Sequence, residues 1–109
     1  MTPPDDIVPQ KVAKRELYRY FDDPDFRADL LRRTNQQVDV YCRPAPPSAG
    51  QDPGTMSHVY DWYEYDKIRD ATTLLATVHL YRNLDGTVGA SGHPDPVYLL
   101  VNGVPLVDP

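Results

Sequence analysis

Residues 72–82 read TTLLATVHLYR, and the spacing of their apolar side chains decides the fold class. Leu74, Ala76, Val78 and Leu80 alternate with Leu75, Thr77, His79 and Tyr81. That period of two is the signature of a β-strand. The second set is too apolar to be fully wet, so both faces of this strand are expected to meet other parts of the chain.

Working outward, residues 97–107 read VYLLVNGVPLV. Asn-Gly between two apolar runs predicts a hairpin with a type I′ turn, because both central residues of that turn need positive φ. Pro105 cannot donate to a ladder and is expected to place the last strand at a sheet edge. Upstream, HVYDWYEYD (58–66) alternates Tyr60, Trp62 and Glu64 against Val59, Asp61, Tyr63 and Tyr65. QVDVYC (37–42) alternates Val38, Val40 and Cys42 against Asp39 and Tyr41. Residues 43–57 form a Pro-rich loop by composition, and 1–8 read as a disordered lead-in.

Helical signals precede these strands. Residues 9–21 begin with Pro and carry Leu17 and Phe21 four apart. Residues 22–35 place Asp23 as N-cap, Pro24 at the first helical position, Asp25 in the first turn and Arg32 and Arg33 in the last. That order of charges complements the helix dipole at both ends. Two N-terminal helices followed by strands predict an α+β domain. Its sheet is expected to be a mostly antiparallel meander of four to five strands, with the helices packed on it.

The chain has 109 residues, enough for one domain with one core, and a net charge of −5. The charge is uneven. Seven Lys/Arg balance seven Asp/Glu up to Thr34, whereas four face nine beyond it, and no Lys or Arg follows Arg82. Nucleic-acid binders draw their affinity from cations on phosphate, so this distribution argues against DNA or RNA as partner. The N-terminal residues lack a secretory pattern and no apolar run is long enough to span a bilayer, so the expected setting is cytoplasmic, without membrane contact. The single cysteine, Cys42, excludes an internal disulfide.

Residues 83–96, NLDGTVGASGHPDP, carry three glycines, Gly86, Gly89 and Gly92, between two strands. The spacing G-x-x-G-x-x-G fits neither dinucleotide nor Walker patterns, and no Lys follows. Asp85-Gly86 accounts for a chain reversal. The block resembles one in short bacterial proteins of unknown function, which read D-G-T-x-G-x-S-G-x-P-D-P. Val97 stands where those proteins often carry a basic residue. The resemblance covers about fifteen residues, implies a shared local structure, and brings no activity with it.

Candidate chemistry is sparse. His58, His79 and His93 match no ligand spacing, so neither metal nor cofactor is expected. Cys42 could pair with His79 or His93, yet its place on the apolar face of a strand predicts an inert, buried thiol. An enzymatic or ligand-binding alternative would use His93, Ser91 and Asp95 in the glycine block. The stronger compositional signal is aromatic: Tyr60, Trp62, Tyr63 and Tyr65 in one run, with Tyr81 and Asp85 nearby. Tyr and Trp combine large apolar area with a polar handle and are enriched at binding hot spots. The sequence therefore predicts a non-catalytic interaction protein whose partner is another protein or a second copy in a homodimer. By analogy of size and charge, an inhibitor or a phage accessory protein fits.

Overall fold

The computed structural model describes residues 8–46, 52–89 and 94–108. In chain order the elements are β1 (Gln10–Lys11), α1 (Lys14–Phe21), α2 (Pro24–Arg33), β2 (Gln36–Pro44), β3 (Met56–Asp66), β4 (Ala71–Arg82), β5 (Asp95–Val101) and β6 (Val104–Val107). The strands form one sheet in the order β1-β6-β5-β4-β3-β2. The expected α+β class holds. Two details differ: among the described residues the sheet has six strands, and it is mixed because β1 pairs parallel with β6.

β1 also corrects the expectation that the helices come first. Gln10 and Lys11 were expected inside a helix, but they pair with Leu106 and Val107, and Val12 N–H donates to Val107 O at 2.9 Å. Helix propensity is a weak preference, and a ladder partner overrides it here. The same pairing shields β6, so Pro105 is not on an edge strand. It is tolerated because β1 reaches only Leu106 and Val107.

α2 follows its sequence signals. Asp23 Oδ1 accepts from the N–H groups of Asp25 and Phe26, at 2.9 and 3.1 Å. Thr34 is the C-cap, and Asn35 exchanges hydrogen bonds with Tyr65 across the start of β2. The hairpin turn is also as expected, with Asn102 at φ 49° and Gly103 at φ 78°.

The core lies between the helices and one face of the sheet. Trp62, Ala76, Leu99 and Leu106 are successive register partners across β3, β4, β5 and β6, so they form one row on that face. Leu17 and Phe21 of α1 and Leu30 of α2 are buried against the same cluster, and the Phe21 ring lies 6.2 Å from that of Trp62.

Three bulges break the simple alternation read from sequence. An extra residue stands in β2 at Val40, in β4 at Leu75 and in β5 at Val97. A bulge adds one residue to one strand and shifts the phase of everything beyond it. In β4, Leu75 therefore joins Ala76 and Val78 in the core, while Leu74 pairs with Tyr63 on the opposite face. In β2, Val38 and Tyr41 fall on one face, whereas Asp39 and Cys42 share the other.

Candidate functional site

The buried apolar residues of both helices, Leu17, Phe21 and Leu30, lie in the single core cluster, so among the described residues the opposite sheet face carries no helix. Its register rows are Ser57 with Tyr81, Val59 with His79, Asp61 with Thr77, Tyr63 with Leu74, and Thr77 with Tyr98. These side chains are mostly half-buried. Asp61 gathers two of the polar ones: Thr77 Oγ1 donates to it across strands at 2.7 Å, and the Tyr63 hydroxyl donates to it within β3 at 2.9 Å. The bond to Asp61 raises the Tyr63 phenol above its ordinary range, and burial does the same for Tyr98.

His79 sits 2.6 Å from buried Ser57 Oγ, with the Tyr81 ring edge-on at 4.7 Å. Burial holds the imidazole below its ordinary range, against an opposing pull from Asp95. The unfolded chain thus takes up a proton that the folded one resists. Stability from neutral His79 is complete above about pH 6.5, the ordinary imidazole value, and is lost as pH falls through the lower folded value. Urea midpoints measured between pH 7.5 and pH 5 are expected to fall less for His79→Gln than for wild type. Identical slopes would remove this assignment.

β2 forms the outer edge beside this face. Among the described residues it pairs with β3 on one side only, and all nine of its residues are exposed. Val38, Val40 and Tyr41 are 47%, 55% and 46% exposed. Cys42 is exposed as well, not buried as the alternation predicted, because every residue of this edge strand is exposed, and the bulge sets it beside His58.

The residues singled out in the sequence separate. Trp62 is buried in the core, and Tyr60 packs beside it on the helix-bearing face. Tyr63, Tyr65 and Tyr81 lie on the open face, with Tyr65 donating to Asp70 at the β3–β4 turn. Asp85 is engaged within its own turn: its Oδ1 accepts from Thr87 N–H and from Thr87 Oγ1, and Gly86 follows at φ 87°. Across from that turn, Gly54 has φ 85°, and a Cβ on it would stand 2.5 Å from Leu84 Cδ1, so the two loops touch. Ser91 and His93 lie outside the described residues. Asp95 faces α1, where it pairs with Lys14 at 3.1 Å and accepts from the Tyr18 hydroxyl. Burial and that carboxylate push the Tyr18 phenol up to about 12.

Two open cavities flank the sheet. One, about 240 Å³, is lined by Asp52, Thr55, Asn83 and Asp85, and the other, about 480 Å³, lies between Arg33 of α2 and Tyr65 of β3. In the second, Arg33 is held to Glu64 at 3.0 Å, which lowers the Glu64 carboxyl. Among the described residues no group of His, Cys, Asp or Glu could hold a metal ion, and no helix is long and apolar enough to cross a membrane. No protein-family model matches the chain, and no curated protein or solved structure matches it.

Proposed function

We infer that the protein works by association, receiving another protein, or a second copy of itself, along the outer edge of β2 and the sheet surface beside it. The observation that carries this reading is the state of β2: nine exposed residues, an edge unpaired among the described residues, and three large apolar side chains facing solvent. Unpaired backbone groups of an edge strand accept an added strand, and proteins that avoid this use charge, proline or a very short edge. β2 carries Asp39 and the Val40 bulge near its centre and Arg43 and Pro44 at one end, which leaves Gln36–Val38 and Val40–Cys42 without charge or proline. Tyr63, Tyr65 and Tyr81 extend the surface, and the net charge of −5 favours a basic partner.

The test is to place a charge on the edge. Val38→Lys and Val40→Lys are expected to weaken partner capture, or self-association by light scattering, at least tenfold. The melting temperature should stay near that of wild type, because these side chains contribute little to the core. Undiminished association by the doubly substituted protein would refute the reading.

A further inference from the structure

The bulge at Val40 gives the chain's one cysteine a specific set of neighbours. Asp39 pairs with Tyr60 and Cys42 pairs with His58, so thiol, carboxylate and imidazole share one face of the edge. His58 Nε2 lies 3.7 Å from Cys42 Sγ, and His58 Nδ1 lies 3.3 Å from Asp39 Oδ2. The Tyr60 oxygen stands 3.4 Å from the same Nδ1, and its ring stacks on the imidazole at 5.6 Å with planes 8° apart. A carboxylate only accepts, so Asp39 selects the tautomer that carries its proton on Nδ1. The Nε2 lone pair is then left facing the thiol. Nucleophile, base and orienting acid stand in sequence, the arrangement that activates a weak nucleophile. From β4, uncharged Leu80 is the register partner of His58, and Arg82, opposite Met56, donates to Gly86 O.

We propose that Cys42 is a reactive thiol site that exchanges with low-molecular-weight disulfides, with His58 as its base and Asp39 as the positioning residue. Exposure decides the chemical class. Acyl transfer asks for a substrate held out of water beside an oxyanion site. Cys42 is exposed on an edge strand and the Asp39 side chain is 44% exposed, a setting without such shielding. Disulfide exchange needs only an accessible thiolate and room for attack on sulfur.

In the step, His58 Nε2 takes the Cys42 proton and the thiolate attacks one sulfur of the disulfide. A mixed disulfide forms on Cys42 and the reagent's own S–S bond breaks. The released thiolate then takes the proton from His58. Cys42 is oxidised to the mixed disulfide and half of the reagent is reduced to free thiol.

Oxidised glutathione is the probe, with mixed disulfide followed by intact mass at pH 7. Wild type is expected to react about tenfold or more faster than His58→Gln, with Asp39→Asn also slowed. Asp39 is exposed, so its substitution leaves the fold in place. His58→Ala is expected to regain rate when free imidazole is added, a response that altered folding or exposure does not produce. A wild-type rate retained by His58→Gln, or no gain with imidazole in His58→Ala, overturns the proposal. This outcome is independent of whether β2 receives a partner.

Discussion

Replacing Trp62 by alanine is expected to cost about 3–5 kcal/mol of folding stability, the usual result of emptying an aromatic site in a packed core. Trp62 is 8% exposed and lies in the row that runs through Ala76, Leu99 and Leu106, with Phe21 against its ring. Alanine would leave a cavity between the sheet and α1, and neither side can collapse without shifting a ladder. For a domain with about 5–15 kcal/mol in total, a loss of this size approaches unfolding at ordinary temperature. Denaturant melts give the number directly, and a cost below about 1 kcal/mol would remove Trp62 from the core. The consequence for binding is plain: a Trp62 variant that no longer captures a partner reports on folding, whereas Tyr63 or Val38 variants report on contact.

Leu17→Ala is the second large effect, expected at about 2–5 kcal/mol. α1 spans eight residues, and a helix so short has little stability of its own in water. Ala13 at its N-cap supplies no side-chain hydrogen bond. The helix is therefore held by what it buries, and Leu17, fully buried, with Phe21 supplies that contact. Amide hydrogen exchange is expected to show protection lost first in α1 and β1, with β3 and β4 following only at global unfolding. Uniform loss of protection across the chain would instead mean that α1 and the sheet unfold as one unit.

Much of this architecture was legible because local signals agreed with tertiary ones. Asp23-Pro24 opens α2, Asn102-Gly103 closes the last hairpin, and the alternation in 58–66 separates Trp62 from Tyr63 as the register does, although it does not say that Trp62, read as a binding residue, faces the core. The failures share a cause. Val40, Leu75 and Val97 are ordinary strand formers, and nothing in their side chains marks them as bulge positions. A bulge depends on how two strands fit, which no single strand encodes. The alternation puts Leu75 on the wrong face for that reason, and makes Cys42 a buried, inert thiol with only His79 or His93 as possible partners. With the bulge in place, its neighbour is His58. The partner relation of β1 and β6 was equally hidden, since two residues carry no periodicity.

That parallel pair has a consequence for the order of assembly. Gln10 meets Leu106, so the strand that precedes α1 finds its partner only in β6. As a chain grows from its N-terminus, α1 and α2 emerge with no finished sheet to lie on, and β1 has nothing to pair with until the β5–β6 hairpin exists. Joining segments so distant in sequence carries a loop-closure cost and slows folding. The hairpin turn at Asn102-Gly103 closes locally, which makes it the natural site from which β1, and with it the helix layer, is finally fastened. A ribosome that pauses before Val104 would hold a chain whose first strand has no place to go.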